Sequence, residues 1–374
     1  MEPYLITAVV ATFLTYLGSK YDKHRNRVVA VALYALAVFI LCNLAARRDL
    51  TVGTDTISYT DDYLYVLDKD FSTIYSEDTR FYKMEYLYKI VVWVSANIFH
   101  SSYYFFFIMA LITVTTLFVA LRLINIEAMP LGIFLFSIFF FPMSFNVMRQ
   151  YCAMSFVMLS YVFIRDKKLL PLLLSTLLAY GFHTSSILCP VIIFIFLRLG
   201  TSDGKYKQLK IICSILAIVL GVLVMPRLLP SLLSDDNPYA HYLNSLTMKG
   251  GGLRRTFYEL FIFYCGLTLL NILLTHGSSD KKSSDTVPLF LISTMGVISY
   301  GLCLYSAWLY RFSLYFLIFL VPLFPIASNN IATKQDRIFF QILCIAIILC
   351  FCYGYFIVRG SDGIYPYSRA ILYY

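Results

Sequence analysis

Residues Val28–Ala46, VVAVALYALAVFILCNLAA, run without a charge and stop at Arg47-Arg48-Asp49-Leu50-Thr51-Val52-Gly53-Thr54-Asp55-Thr56-Ile57-Ser58-Tyr59. The first stretch is close to the roughly 20 apolar residues that a helix needs to cross about 30 Å of hydrocarbon. The second gathers two Arg, two Asp, a Gly and several hydroxyls in a chain with few groups able to do chemistry. Across all 374 residues 60% are hydrophobic and 14% charged, and the mean hydropathy is +0.74. A soluble domain does not have that balance. The fold class read from it is all-α: a polytopic transmembrane helical bundle forming one integral membrane domain over 1–374.

Apolar runs place spans near 4–18, 28–46, 103–121, 131–142, 144–164, 169–181, 187–199, 211–225, 256–275, 287–305, 308–327 and 338–358, about twelve in all. No small-residue cleavage site follows Tyr4–Gly18, so that run is expected to stay as a span. Segment 86–99 is short and carries Lys89, which suits an interfacial or re-entrant helix on the outer side. The short pieces between 131 and 199 read as broken helices, which a membrane tolerates only where protein or a water-filled cavity covers the freed backbone.

Orientation follows from Lys and Arg in short loops. Loops 20–27, 165–168 and 201–210 are the most basic, so the N-terminus is expected outside, with 47–102 and 226–255 as external, periplasmic segments. That arrangement puts ten Lys and six Arg inside, against four Lys and ten Arg at or near the outer face. A planar guanidinium grips phosphate bidentately where an ammonium is a point charge, so the outer bias toward Arg points to anion recognition. Snorkelling to lipid headgroups is the competing explanation for any single one. The nine Cys all lie in apolar segments without zinc-type spacing, so neither disulfide stapling nor a metal site is expected.

Four polar constellations stand out. In the first, Arg47 and Arg48 close a span, and Gly53-Thr54-Asp55-Thr56 favours a tight turn whose amides and hydroxyls point together. Tyr59 begins a run rich in Tyr and acids that extends to Glu85 and Tyr86. Aromatic faces beside acids suit sugar rings, and an interfacial Tyr belt is the alternative. In the second, Asn146-Val147-Met148-Arg149-Gln150, helical spacing would put Asn146, Arg149 and Gln150 on one face, and an Arg inside an apolar run is costly enough to suggest function. Helix-locking is the alternative there. The third, Phe182-His183-Thr184-Ser185-Ser186, carries an intramembrane His that is either helix glue or a proton acceptor near neutral pH. The fourth is Tyr310-Arg311, near the outer end of a late span.

Taken in order and spacing, Arg48…Val52-Gly53-Thr54-Asp55-Thr56…Tyr59, Glu85, Asn146-x-x-Arg149-Gln150, Phe182-His183-Thr184-Ser185-Ser186 and Arg311 resemble the EpsG-like exopolysaccharide polymerases, which share their role with Wzy-type O-antigen polymerases. The resemblance covers nearly the whole chain. It implies a glycosyltransferase-C-like helical bundle in a bacterial inner membrane that joins oligosaccharide repeat units held on undecaprenyl pyrophosphate. A chain-length regulator and a flippase are the implied partners, without nucleic acid and without a cofactor. Segment 226–255 carries no motif of that family, so Arg254 and Arg255 rest on their charge alone.

Such a transfer needs cations beside the departing pyrophosphate and a base for the attacking hydroxyl. Arg149 and Arg311 are the expected catalytic cations, helped by Arg47, Arg48, Arg254 or Arg255. His183 is the first candidate base, with Asp55 second and Glu85 also in reach of the role. Gly53, Thr54, Tyr59, Glu85, Asn146, Gln150 and Tyr310 complete the expected substrate-binding set. The transfer is expected to be metal-independent, although Asp49 and Asp55 have the chemistry to hold a divalent cation. A ligase-like or other lipid-linked glycosyltransferase fits nearly the same residues. A flippase fits less well, because its polar path would reach both faces, and a membrane O-acetyltransferase would need a His and Arg pattern on the cytoplasmic side.

Overall fold

The computed structural model describes residues 1–75, 81, 83–201, 216, 258–269, 285–302, 307–331 and 333–370. The described residues form helices and contain no strand; their one β-bridge pairs Arg48 with Arg369. In chain order the helices are α1 Glu2–Lys23, α2 Arg27–Ala46, α3 Thr56–Val66, α4 Tyr86–Asn97, α5 Ser102–Ile124 and α6 Met129–Leu135. A wider π turn at Phe136–Phe140 leads from α6 into the short α7 Phe141–Met143, followed by α8 Met148–Arg165, α9 Leu169–Phe182 and α10 Cys189–Thr201. Then come α11 Tyr258–Leu269, α12 Thr286–Gly301, α13 Ala307–Leu317, α14 Leu320–Ser328 and α15 Lys334–Cys352, the last running through a π turn at Tyr353–Val358.

Among the described residues five helical runs are long and apolar enough to cross a membrane: Arg27–Ala46, Ser102–Ile124, Thr184–Thr201, Leu309–Ser328 and Lys334–Val358. Apart from 211–225, of which only residue 216 is among the described residues, each expected span falls on helix over most of its described length. With 12 residues, α4 is about 18 Å long, too short to cross the hydrocarbon unaided. Each described cysteine is a free thiol.

The chain divides into two compact units, Met1–Ile187 with Ile338–Tyr374, and Leu188–Arg337. In the first unit α1 packs on α2, α2 on α5, α5 on α8, and α8 on α9, while α4 lies against α5 and α9. Small residues set the closest approach. Along α1 the buried Ala8, Ala11, Thr15 and Gly18 recur at helical spacing, a stripe that lets two backbones approach. A Cβ on Gly18 would lie 2.5 Å from the Tyr34 ring of α2. The hydroxyls on that stripe bond back along their own helix, Thr15 to Ala11 O and Ser19 to Thr15 O, both at 2.7 Å, so burial leaves neither unsatisfied. In the second unit α12 packs against α10, α13 and α14, and a Cβ on its Gly296 would lie 2.7 Å from Leu317 N.

Overpacking of this kind costs about 1–3 kcal/mol, so Gly18→Val should lower the thermal unfolding midpoint of the detergent-solubilised protein. Adding Tyr34→Ala should recover part of the loss by emptying the space the new side chain enters. An unchanged midpoint in Gly18→Val would contradict the close α1–α2 contact.

Candidate functional site

Within the first unit, three separated polar segments meet at the end of α2 where the chain leaves the apolar run. The first is the turn after α2. Gly53 has φ +93 and sits where a Cβ would lie 2.9 Å from both Asn146 Oδ1 and Thr56 Oγ1, so only glycine fits there without strain. Thr56 Oγ1 donates to Val52 O at 2.6 Å and receives Arg48 Nε at 3.2 Å. Asp55 is the residue before α3; its side chain is half-buried and accepts from Thr54 Oγ1 at 3.3 Å. Asp49 accepts from Thr51 N and Thr51 Oγ1 at 3.1 and 2.8 Å, closing a small turn of its own.

Arg48 is buried. Its guanidinium donates to Thr56 Oγ1, Ala45 O and Met148 Sδ, and lies 4.0 and 4.6 Å from the Phe106 and Phe145 ring centroids. Desolvation pushes its pKa down to about 10, since burial disfavours the charged form. All three nitrogens are engaged inside the protein, so the surface contact with phosphate expected of Arg48 does not fit this placement. Arg47, next to it, is exposed.

The second segment begins before α8. Asn146 does not share a helical face with Arg149 and Gln150 as its spacing suggests, because α8 starts only at Met148 and Val147 (φ −128, ψ 49) breaks the helical path. The turn Ser144–Val147 stands between α7, which contains Pro142, and α8, so Asn146 lies off the helix that carries Arg149 and Gln150. Asn146 Oδ1 accepts from Asp55 N at 3.4 Å, its Nδ2 donates to Asp362 O at 2.8 Å, and its carbonyl accepts from Tyr59 Oη at 2.9 Å. Gln150 is buried, while Arg149 points to Glu85 and its Nη1 donates to Glu85 Oε2 at 2.5 Å. The Arg149 side chain keeps 27% of its surface exposed, and among the described residues nothing engages its Nε or Nη2.

The third segment is the end of α9. Gly181 faces Leu87 of α4, whose Cδ1 would lie 2.6 Å from a Cβ there. This close approach brings Glu85, the residue before α4, to Thr184 N at 3.4 Å. His183 caps α9 and is buried, with Nδ1 2.9 Å from Ser185 Oγ. Tyr88 extends the cluster: its ring centroid lies 5.2 Å from the Arg149 guanidinium and its Oη donates to the buried Asp62 Oδ2 at 2.7 Å. Glu85 and Arg149 therefore come together with Tyr88 and Asp62, and the Glu85 bond to Thr184 N ties this cluster to the residue next to His183. Gly53, Asp55, Tyr59 and Asn146 form an adjoining cluster. Further along the Tyr-rich run, Phe71, Tyr75 and Tyr86 form an exposed aromatic patch, with the Phe71 and Trp93 rings at 5.0 Å.

Tyr310 and Arg311 lie on α13 in the second unit, and Arg254 and Arg255 lie outside the described residues. Among the described residues no three His, Cys, Asp or Glu gather as metal ligands would.

The sequence reading missed the segment after α15. Residues 360–370 clasp the turn: Gly53 N donates to Gly363 O at 2.7 Å, Thr54 N to Asp362 O at 3.3 Å, Asp49 N to Ser368 O and Ala370 N to Arg47 O at 3.0 Å. Tyr4 Oη bonds Ile364 O at 3.0 Å and Tyr367 Oη bonds Leu44 O at 2.8 Å. At its centre Asp362 takes a left-handed backbone, φ 63, and its Oδ2 is buried with no hydrogen-bond partner among the described residues. Desolvation, with the Asp55 charge adding to it, pushes the Asp362 carboxyl up to about 6 against hydrogen bonds from Tyr355 and Asn146. A signal for it existed. Arg359-Gly360-Ser361-Asp362-Gly363 repeats the Arg, Gly and Asp mix of 47–55 directly after an apolar run.

The EpsG family model matches residues 31–369, which include all three segments and the clasp as far as Arg369. The chain belongs to the EpsG family. No curated protein and no solved structure matches it at a significant level. EpsG family membership, with the apolar helices, marks a membrane protein of exopolysaccharide biosynthesis and suggests a polymerase.

A carboxyl whose pKa rises on folding contributes stability below its unfolded value that is lost as pH rises through the folded one. For Asp362 that window runs from 3.8 to about 6. Relative to the wild type, Asp362→Asn should therefore raise the unfolding midpoint at pH 8, by free energy on the order of 3 kcal/mol, and change little at pH 4. An equal effect at both pH values in thermal unfolding would show that ionisation of Asp362 is not the cause.

Proposed function

We propose that this EpsG family protein is a polysaccharide polymerase. A growing glycan passes from undecaprenyl pyrophosphate to a hydroxyl on the non-reducing sugar of an incoming lipid-linked repeat unit. The observation that carries the reading is the Arg149–Glu85 ion pair, whose carboxylate also takes the Thr184 amide beside His183, next to the cluster around the Gly53–Thr56 turn. The hydroxyl oxygen bonds to the anomeric carbon, the bond from that carbon to the pyrophosphate oxygen breaks, and the pyrophosphate leaves with the electron pair.

In this reaction Arg149 carries the leaving-group role. Glu85 fixes Nη1, so Nε and Nη2 are presented to phosphate oxygens in a set direction, which is how preorganised donors stabilise developing charge. His183 takes the hydroxyl proton. An Nδ1–H donated to Ser185 would make Nε2 the acceptor, the tautomer that a base requires. Asp55 is the second candidate base, on a turn whose shape Gly53 and Asn146 hold. Arg47 contributes at the exposed edge.

The reaction is placed on the outer face of a bacterial inner membrane. Basic loops 20–27 and 165–168 then lie inside, and the ends of α2 and α9 that carry the site lie outside. The donor and acceptor are the lipid-linked oligosaccharides, and a flippase and a chain-length regulator act before and beside the enzyme.

Variants Arg149→Ala and His183→Ala should insert at wild-type level yet lose long-chain polymer on a surface-polysaccharide gel. Losing an oxyanion-type donor costs roughly 10²–10³-fold in rate and losing a general base about 10²–10⁴-fold. Arg149→Lys, which keeps the charge but not the fork, should retain more polymer than Arg149→Ala. Normal polymer length in both alanine variants at matched protein level would overturn the reading. A deletion strain bearing no glycan at all would indicate a flippase, and unattached polymer a ligase.

A further inference from the structure

At the opposite end of α2 from the candidate site, α2 and α5 leave a groove of about 680 Å³ between them. Its walls are apolar: Val31, Ala35 and Val38 on one side, Leu111, Phe118 and Val119 on the other. Two ring pairs, Tyr34 with Phe118 at 6.5 Å and Phe39 with Phe107 at 6.0 Å, brace it along its length. The volume falls in the range of sites that bury most of a ligand, about 300–1,000 Å³. From Arg27 to Phe39 the groove follows α2 for about 18 Å. That length is close to one leaflet, half of about 30 Å of hydrocarbon.

The mouth of the groove is basic. Arg122 binds Asp22 through Nε at 2.5 Å and Nη2 at 3.0 Å, and Lys23 pairs with Glu127 at 2.6 Å. Those pairs neutralise two of the four cations there. Arg25 and Arg27 are both exposed, and among the described residues no carboxylate lies within ion-pair distance of either. Arg27 is also the first residue of α2, where the Asn26 side chain takes only the Val29 amide. The other amides of that turn and the helix dipole favour an anion at the same place.

We infer that the α2–α5 groove holds an anionic membrane phospholipid, with one acyl chain between the helices and its phosphate on Arg27. The fit is to both parts of such a molecule: a leaflet-deep apolar channel and a mouth where Lys23, Arg25, Arg27 and Arg122 outnumber Asp22 and Glu127, with Arg27 near enough to Asp22 to feel its charge but outside ion-pair distance. The polyprenyl carrier is a poorer occupant. Under the proposed reaction its pyrophosphate reaches the site beyond Ala46, the 20-residue length of α2 away, about 30 Å from Arg27. This site stands on the membrane character of the chain and does not depend on the polymerase reading.

The test uses the full-length protein in phosphatidylcholine vesicles containing a minor fraction of phosphatidylglycerol with a photoactivatable group in one acyl chain. Crosslinks should concentrate on peptides containing Val31, Ala35 and Leu111, and unlabelled phosphatidylglycerol should compete better than added phosphatidylcholine. Arg27→Gln, a surface change, should lower labelling about fivefold, the effect expected of one basic residue near an anionic headgroup. Ala35→Trp should also reduce it by filling the channel, provided its unfolding midpoint matches the wild type. Labelling spread evenly over the lipid-facing helices, or equal competition by the two lipids, would reduce the groove to ordinary annular contact and overturn the proposal. Competition by a polyprenyl phosphate but not by phosphatidylglycerol would assign the groove to the carrier and overturn it equally.

Discussion

The side chain of Asn146 is the tie on which the site end of the first unit depends. Its Oδ1 takes the Asp55 amide and its Nδ2 gives to the Asp362 carbonyl, while its own carbonyl holds the Tyr59 hydroxyl. One amide thus joins the turn after α2, the start of α8 and the segment after α15, stretches separated by 91 and 216 positions in sequence. The fit is tight enough that Gly53 has no room for a Cβ beside it. Each buried hydrogen bond contributes only about 1 kcal/mol net, whereas an orphaned buried donor or acceptor costs about 1–3 kcal/mol. What makes the junction specific is that the alternatives leave several backbone groups unpaired at once.

The two arginines nearest that tie show how burial separates structure from chemistry. Arg48 lies between two Phe rings with all three nitrogens engaged. Burying a guanidinium costs several kcal/mol; charge-assisted hydrogen bonds of about 1.5–3 kcal/mol each offset it, and the rings add roughly 2 kcal/mol more. Its charge is thereby spent on holding α2 to the α8 start. Arg149 makes one ion pair and stays partly exposed, so its planar fork is only half occupied. Sequence alone offered both as anion ligands, because neither the Phe rings nor Glu85 sits near them along the chain.

What was legible in the sequence is what has a local cause. Apolar runs made the helices, Gly53 with its hydroxyl neighbours made the turn, and the polar Phe182-His183-Thr184-Ser185-Ser186 marked the end of α9. Helical spacing failed at Asn146 because a three-residue α7 with Pro142 and the bend at Val147 delay α8 to Met148, so a periodicity argument was carried across a gap it could not see. The clasp by 360–370 was harder still. It is made of backbone bonds between segments more than 300 residues apart, and backbone groups leave no trace in side-chain pattern. Asp362 belongs to that class: its left-handed φ and buried Oδ2 follow from the clasp rather than from its neighbours.

Under the proposed reaction the single-nitrogen hold on Arg149 has a chemical meaning. A carboxylate that gripped the guanidinium through two parallel bonds would occupy the geometry that suits phosphate and compete with it. A guanidinium with no carboxylate would leave a bare cation beside the Tyr88 ring, costly to keep partly desolvated and loose in direction. Glu85 reaches only Nη1, and Thr184 N steadies its other oxygen, so Arg149 is aimed without being saturated. The position of Glu85 depends in turn on α4 lying close to α9, which Gly181 permits by presenting no Cβ to Leu87. Packing between two short helices thus governs the direction of the Arg149 fork, and the small residue at that contact supports the site although it touches no ligand.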